Sequence, residues 1–406
     1  MGHEGKTLNF TSEVNERVVH SVGKACRRCG RSLEGVESKG YERRQLWDIP
    51  EIKMRVVEHQ AEMKECPNCG ESNRGEFPIG VNSPVQYGEK IQALAVYLHQ
   101  YQLLPYERTS QLLEDMLGCP MSPATIEKTV KECHQGLEQT ESVIREGIVE
   151  SKVVNVDETG ITVSDYTQWI HVASTPELTQ YIVHEKRGKE ATDAMEILPE
   201  FKGTAVHDGW RPYQRYECGH GLCNAHHLRE LTFIEEKYDQ NWAGKMKGLL
   251  VEIKERVEEE KTKGLQALEE IEKSEFLLRY RALLEEGFAM NPAKESTEKN
   301  RRRGRIKQSP AKNLLDRLKV YEKQVLAFME DFRIPFDNNL AERDLRMMKV
   351  QQKISGCFRT QEGAERFCRI RGYISTMRKQ GENILSAIER VFAGNPFIPS
   401  LAREPT

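Results

Sequence analysis

Three acidic residues, far apart in the chain, could together perform metal-dependent phosphoryl transfer. Asp157 and Asp208 each end a short apolar run, residues 153–156 and 204–207. Such runs predict buried strands, although many strands end in Asp because of turn geometry. Glu342 falls in a segment that predicts a helix, which Asp337 or Asn338 can cap. Two carboxylates at strand ends and one on a helix supply the oxygen ligands that two Mg²⁺ (or Mn²⁺) ions require.

Two basic residues follow Glu342 on the same predicted helix. Arg346 and Lys349 lie four and seven positions further on, which puts all three side chains on one face. An acid followed by cations one and two turns away could bind a metal and a phosphate together. An exposed ion-pair stripe would give the same pattern. Asp344 lies roughly 200° around the helix from Glu342, so we do not choose it as the third acid.

Two Cys-x-x-Cys-Gly motifs near the start of the chain predict a zinc site. Four thiolates at this spacing can surround one ion tetrahedrally. Residues 43–50 and 54–59 between the motifs predict strands, which gives the layout of a zinc ribbon with a structural metal. A redox pair or unrelated buried thiols are the alternatives. The four predicted ligands are Cys26, Cys29, Cys66 and Cys69.

A pair of helices after the ribbon has the pattern of a helix-turn-helix. The first helix ends at Gly118, and Ser122 can cap the second, with Pro123 at its first position. Any packed helical pair would also fit. The second helix would present four side chains to DNA. They are Thr125, Lys128, Thr129 and Lys131.

The segment that carries Asp157 and Asp208 predicts a mixed sheet. Closely spaced strands over 153–184 favour an antiparallel meander, a helix follows over 189–198, and residues 204–207 form the next strand. Three antiparallel strands, a helix and another strand are the order of a ribonuclease-H-like fold. In that fold, Asp157 and Asp208 lie side by side.

A cysteine and histidine cluster follows Asp208. Spacing alone favours packing and hydrogen bonding over a metal site for the pair Cys223 and His226, because no second pair follows at a suitable distance. Cys218 and His220 receive the same interpretation. His226 or His227 could instead orient a phosphate or a water molecule.

Charge is distributed unevenly along a chain whose formal net charge is −3. Residues 232–290 predict a charged helical insertion, for which a solvated coiled hairpin is the alternative. Gly264 is expected to break it into two helices, and Leu265, Leu268 and Ile271 begin the apolar stripe of the second. The following block, 294–312, holds eight Lys or Arg and two Glu. Such a block is usually a solvated face, and otherwise a nucleic-acid contact. Its centre contains Arg301, Arg302 and Arg303.

Composition limits the remaining possibilities. No apolar run approaches the roughly 20 residues that a bilayer requires, and no signal peptide opens the chain. We therefore expect a cytoplasmic protein with no membrane partner, whose ten cysteines are reduced or metal-bound.

The predicted fold class is α+β and multidomain, with a zinc ribbon, a helix-turn-helix and a ribonuclease-H-like catalytic domain that carries a helical insertion. The predicted boundaries are 1–23 for a polar segment, 24–75 for the ribbon, 85–150 for the helix-turn-helix region, 151–232 for the first part of the core, 233–330 for the insertion with its basic block, 331–395 for the rest of the core, and 396–406 for the tail.

These motifs, in this order, resemble one family over residues 24–393. The most specific are Cys223-Asn-Ala-His-His-Leu-Arg-Glu-Leu231 and Asp337-Asn-Asn-Leu-Ala-Glu-Arg343. The chain resembles transposases of the insertion sequence 66 family, a bacterial DDE group. The resemblance implies that Asp157, Asp208 and Glu342 are the DDE acids, and that Lys349 is the basic residue that often follows the Glu.

The resemblance also implies a reaction and its partners. Expected is Mg²⁺-dependent cleavage of DNA at the element's terminal inverted repeats and joining of the free 3′-OH to target DNA. The protein would act at the nucleoid as a homo-oligomer on DNA, with possible accessory proteins of the element. The alternatives are a catalytically silent or truncated DNA-binding regulator and a nuclease without strand transfer.

Overall fold

The structure is a computed structural model that describes residues 7–294 and 306–400. Two compact units divide the chain, Met1–Arg55 and Val56–Thr406. In order, the strands and helices are β1 (Met63–Glu65), β2 (Ser72–Arg74), α1 (Glu89–Val96), α2 (Tyr106–Leu117), α3 (Pro123–Gly136), α4 (Glu138–Val149), β3 (Val153–Val163), β4 (Tyr166–Ser174), β5 (Thr179–His184), α5 (Lys189–Ala194), β6 (Thr204–His207), β7 (Gly219–Leu222), α6 (Asn224–Tyr238), α7 (Asn241–Thr262), α8 (Glu270–Met290), α9 (Pro310–Val320), α10 (Glu322–Val325), α11 (Ala327–Glu330), α12 (Asn339–Ser355), α13 (Gln361–Lys379) and α14 (Ile384–Phe392).

A five-stranded mixed sheet forms the centre of the second unit, in the order β5-β4-β3-β6-β7. β3, β4 and β5 are antiparallel, while β6 pairs parallel to β3 and β7 pairs parallel to β6. The predicted meander and the following parallel strand are therefore present. β7 was not predicted, because Gly219-His-Gly-Leu has little of the β-branched or aromatic character that marks a strand.

The helix-turn-helix pattern forms as two capped helices. α2 ends at Gly118, whose φ of +62° is the left-handed conformation that favours glycine at a helix C-terminus. Ser122 caps α3 by accepting a hydrogen bond from the backbone N–H of Thr125. Thr129, however, is buried and donates its hydroxyl proton to the Thr125 carbonyl. Thr129 is therefore not a DNA-facing side chain.

The strands predicted at 43–50 and 54–59 are absent. The regular pairing near the cysteine motifs is limited to β1 with β2 and one bridge, Ala25 with Ser32. Aromatic and branched side chains in the predicted strands, such as Leu46 and Val56, remain exposed. Strand propensity needs a partner strand and a surface to pack on, and neither forms here.

The helical insertion forms a packed core and not a solvated hairpin. α7 and α8 are separated at Gly264, as predicted, and Leu250 and Ile253 of α7 are fully buried. This core continues through α9 and α11 to Val206 and Leu222 of the sheet. The insertion is thus continuous with the sheet that carries the acids.

The second apolar stripe of the insertion differs from the prediction. Leu265 and Ile271 were expected to share a face with Leu268, but both are exposed and only Leu268 is buried. The reason is that α8 begins at Glu270, so residues 265–269 do not follow its helical phase. The buried side of α8 is formed by Phe276, Tyr280 and Leu284.

Among the helices that the structure describes, not one combines the length and the apolar character that a membrane span demands.

Two leucines of α8 test this packing with the same substitution. Leu284 is 4% exposed and Leu278 is 68% exposed. We expect Leu284→Ala to lower the free energy of unfolding by about 2–5 kcal/mol, because it leaves a cavity. Leu278→Ala should stay within about 0.5 kcal/mol. Urea unfolding followed by circular dichroism measures both, and equal losses would contradict the assigned face of α8.

Candidate active site

Parallel pairing sets Asp157 and Asp208 beside each other. The register aligns Val153 with Thr204 and Asn155 with Val206. The same register, continued by two residues, brings Asp157 opposite Asp208. Asp157 does not end its strand, as was predicted from the local sequence. β3 continues to Val163 because its second half pairs with β4 in a hairpin.

Each of these carboxylates is oriented by a nearby backbone amide. Asp157 Oδ1 accepts a hydrogen bond from the N–H of Glu158 at 2.8 Å, and Asp208 Oδ1 accepts one from the N–H of Trp210 at 2.8 Å. Gly209, between Asp208 and Trp210, has a φ of +90°. The turn that aims Asp208 therefore requires a residue that tolerates the left-handed region.

Glu342 reaches the same place from the first turn of α12, which packs on β3. Asn338 fixes the start of this helix. Its side-chain amide donates to the carbonyl of Val156 at 3.0 Å and accepts from the side chain of Asn155 at 2.8 Å. Asn338 occupies the capping position as predicted, but its side chain makes no capping hydrogen bond within α12. It binds the sheet instead.

Asp157 lies close enough to Asp208 and Glu342 for their charges to act on its pKa. Burial, opposed by the Glu158 amide and helped by the negative charges of Glu158, Asp208 and Glu342, raises the pKa of Asp157 to about 7. Glu342 Oε1 is buried with no hydrogen-bond partner among the described residues. A carboxyl group with a raised pKa and a buried carboxylate oxygen without a partner are features that a bound cation would stabilise. The donors are all oxygens, which suits Mg²⁺.

Glu158 belongs to a separate group of contacts. Its side chain is 2% exposed, and Arg187 donates two hydrogen bonds to its Oε1 while the Tyr213 hydroxyl donates to Oε2. Arg187 in turn lies over the rings of Trp169 and Trp210. Burial raises the pKa of Glu158, and the hydrogen bonds from Tyr213 and Arg187 oppose that shift. Sequence reasoning missed this group, although Glu158 directly follows Asp157.

The basic residues of α12 have different surroundings. Lys349 donates a hydrogen bond to the carbonyl of Gly160 on β3, and Arg346 is exposed on the same helix. Asp344 faces away from Glu342 and binds Lys379 Nζ at 2.8 Å. The decision to set Asp344 aside agrees with this contact.

The cysteine and histidine cluster separates into two parts. His220 Nδ1 lies 3.1 Å from Nε2 of buried His207, and Cys218 is buried, so these residues pack beneath the sheet edge as expected. His227 is buried against Asn224, and burial lowers its pKa to about 3. His226 is the histidine that faces the acids, with Nδ1 3.9 Å from Oε1 of Glu342.

The two cysteine motifs form the same turn, one in each compact unit. The Gly30 amide donates to the Cys26 carbonyl, and the Gly70 amide donates to the Cys66 carbonyl, both at 2.9 Å. Both glycines adopt a positive φ, +74° and +73°. Glycine after the second cysteine therefore permits the turn in both motifs.

The turns direct amides at the first sulfur of each motif. Backbone hydrogen bonds, from Cys29 first in one motif and from Cys69 first in the other, lower the pKa of Cys26 and Cys66. Metal ligation requires the thiolate form. The local geometry of both motifs thus suits metal binding.

The structure describes some of the other residues that were predicted to contact DNA. Thr125 is half-buried at the start of α3, where its hydroxyl contacts Ser122. Lys128 is exposed and forms a long ion pair with Glu132, 3.7 Å. Arg301, Arg302 and Arg303 lie outside the described residues.

Two models of known protein families match the chain. The sequence model described as "zinc-finger binding domain of transposase IS66" matches residues 24–70, which include all four motif cysteines. The model described as "Transposase IS66 family" matches residues 84–366, which include Asp157, Asp208 and Glu342. The chain is a transposase-class protein and belongs to the IS66 transposase family. No curated protein gave a match.

The raised pKa of Asp157 gives a pH-dependent stability. The folded state holds the Asp157 proton up to about pH 7, whereas the unfolded chain releases it near pH 4. The stability associated with the protonated form is therefore complete below about pH 4 and is lost as the pH rises to about 7. We expect Asp157→Asn to melt higher than wild type at pH 8, with a smaller difference at pH 5, in buffer without divalent cations.

Differential scanning fluorimetry across this pH range measures the effect. Asp165→Asn, at an exposed turn, is the matched control and should follow wild type at every pH. A constant offset between Asp157→Asn and wild type would contradict a shifted carboxyl pKa.

Proposed function

We propose that this protein is a DDE transposase, which cleaves DNA at the ends of its element and joins the freed 3′-OH to target DNA. The observation that carries the proposal is the placement of Asp157 and Asp208 by two adjacent parallel strands, with Glu342 on a helix that packs on the first of them. The sheet order, with three antiparallel strands followed by a parallel one, supports a ribonuclease-H-like catalytic core.

Asp157 would contact two Mg²⁺ ions, while Asp208 and Glu342 would each complete the ligand set of one. When bound, the ions supply activation of the attacking water or 3′-OH and neutralisation of charge on the leaving oxygen. Asp157 would be the ligand shared by both ions because the strand that carries it lies between β6, which leads to Asp208, and α12, which carries Glu342. With the nucleophile activated in this way, no covalent bond to the protein is needed.

The remaining side chains would hold DNA. Arg346 projects from the same helix as Glu342 and would bind a backbone phosphate. Lys349, held at the Gly160 carbonyl in the absence of DNA, would exchange that acceptor for a phosphate oxygen. Thr125 and Lys128 on α3 would contact the terminal repeat, and the basic block with Arg301, Arg302 and Arg303 would add salt-sensitive affinity.

The four motif cysteines would hold a structural zinc ion. Both turns aim amides at a sulfur, and thiolate sulfur is the donor that structural zinc sites use. A bound ion would stabilise a region that otherwise has two very short strands and many exposed apolar side chains.

A strand-transfer assay tests the catalytic proposal. A labelled, pre-cut element end is mixed with plasmid DNA and Mg²⁺ or Mn²⁺. Wild type should yield joined product, and Asp208→Asn should reduce its rate by roughly 10²-fold or more, since even residues that only support metal ligands cost 10–100-fold. Asp165→Asn serves as the matched control and should retain the wild-type rate.

The other outcomes distinguish the rival functions. Nicked product without joined product would indicate a nuclease. End-specific binding with no product in either metal would indicate a DNA-binding regulator derived from a transposase.

Metal analysis tests the zinc proposal separately. We expect Cys66→Ser to release the zinc of the motif and to lower the melting temperature, because metal binding contributes folding energy. Cys357→Ser, at an exposed cysteine outside both motifs, should change neither. Unchanged zinc content and melting in Cys66→Ser would rule out the four-cysteine site.

A further inference from the structure

Three potential metal ligands of different chemistry meet at the edge of the carboxylate cluster. Cys223 lies immediately before α6, His226 lies in its first turn, and Glu342 lies in the first turn of α12. One ligand atom from each residue lies within 4.8 Å of the other two. Cys223 and His226 are three residues apart at a helix start, so their side chains point to the same side. Their third partner comes from a distant part of the chain.

Two of the three atoms lack a partner of their own. His226 Nδ1 and Glu342 Oε1 are both buried, and neither has a hydrogen bond within the described part of the chain. Their separation of 3.9 Å is too long for a hydrogen bond between them. An unsatisfied buried polar atom costs about 1–3 kcal/mol. Two such atoms facing one point indicate that a bonding group belongs between them.

Burial raises the pKa of the Cys223 thiol, and three backbone amides around the sulfur oppose this rise. The backbone N–H of Asn338 donates to Cys223 Sγ at 3.2 Å, and the amides of Ala225 and His226 also point to it. These amides belong to the start of α6 and the residue before α12. Amides at a helix N-terminus favour a thiolate, which is the form that binds metals.

We propose that Cys223, His226 and Glu342 bind a zinc ion. Sulfur, imidazole nitrogen and one carboxylate oxygen are a donor set that favours Zn²⁺ over Mg²⁺. In a tetrahedral site with zinc bonds of about 2.0–2.3 Å, ligand atoms lie roughly 3.4–3.7 Å apart. The separation of 3.9 Å between Nδ1 and Oε1 therefore closes to a zinc site with movements of a few tenths of an ångström. A solvent molecule would occupy the fourth position.

The ion would act on the catalytic acids through Glu342. Oε1 faces His226, and the other oxygen remains available toward Asp157, whose pKa responds to the charge of Glu342. Zinc on Oε1 would fix the rotamer of Glu342 and offset part of the repulsion among the acids. The zinc site stands whether or not the protein joins DNA, since it depends on the three ligands alone.

Metal stoichiometry is the first test. Purified wild-type protein should contain two zinc ions per chain by mass spectrometry, one at the four motif cysteines and one at the new site. Cys223→Ser should contain one, while Cys357→Ser should contain two. A result in which wild type and Cys223→Ser hold the same amount of zinc would overturn the proposal.

Cobalt(II) provides a spectroscopic test in the full chain with Cys26, Cys29, Cys66 and Cys69 changed to Ser. Co²⁺ should give a sulfur-to-cobalt charge-transfer band and the intense visible bands of tetrahedral cobalt. Glu342→Gln, which keeps the side-chain shape, should weaken Co²⁺ binding by roughly 10-fold or more, since even outer-shell changes weaken metal binding by 10–100-fold. This variant keeps the test valid if Cys223→Ser fails to fold.

Competition separates this site from the catalytic metals. A large excess of Mg²⁺ should leave the cobalt spectrum unchanged, because Mg²⁺ does not favour sulfur. Loss of the bands in Mg²⁺, or no bands at all, would show that His226 and Glu342 serve only the oxygen-ligand site. None of these readouts uses DNA joining, so they remain informative if the transposase proposal fails.

Discussion

The site depends on the hydrogen bonds of one buried residue, Asn338. It is 1% exposed and binds two other segments of the chain. Its side chain bonds Asn155 and the carbonyl of Val156 on β3, and its backbone N–H bonds Cys223 before α6. The net contribution of one hydrogen bond to stability is only about 1 kcal/mol, but a buried amide without partners destabilises the fold by more than that. The start of α12 therefore has one favourable position, and Glu342 follows it by a single turn.

This position of Glu342 is electrostatically unfavourable, because it brings a further negative charge near Asp157. Asp157 is partly buried and repelled by Asp208 and Glu342, as its pKa of about 7 reports. The unfavourable electrostatic free energy is offset by contacts that do not involve these carboxylates, namely the β3–β6 pairing and the hydrogen bonds of Asn338. Neighbouring Glu158 also raises the pKa of Asp157, while its own carboxylate is bound by Arg187 and Tyr213. Two adjacent acids thus have different surroundings, since Glu158 is bound by an arginine and a tyrosine while Asp157 accepts a hydrogen bond from a backbone amide.

Local sequence predicted the features that depend on local chemistry. The Gly118 C-terminus and the Ser122 cap are as expected, since a left-handed glycine and a capping hydroxyl act within a few residues. The pairing of the strands that carry Asp157 and Asp208 also agreed, because it follows from strand order. The sequence could not show that Asp157 is inside its strand, since Gly160 resembles a strand end unless the partner β4 is known.

Contacts between distant segments could not be predicted from the sequence. Cys223 and His226 were interpreted as packing residues because no second ligand pair follows them. The structure adds Glu342, more than a hundred residues later, beside them. The strands predicted at 43–50 and 54–59 failed for the opposite reason. Their residue types suit a strand, but no partner is present to complete the ladder.

The helical insertion accounts for how two distant acids come to share one site. Its apolar core includes Val206 and Leu222 of the sheet and also Ile334 and Phe336, just before α12. At the end of the insertion, the Phe336 carbonyl accepts a hydrogen bond from the amide of Asn224, at 3.0 Å. The chain therefore leaves the sheet after β7 and returns to the start of α6. A long insertion adds little closure entropy when its own core brings its ends together. The core of the insertion therefore helps to hold the start of α12, which carries Glu342, against the sheet that carries Asp157 and leads to Asp208.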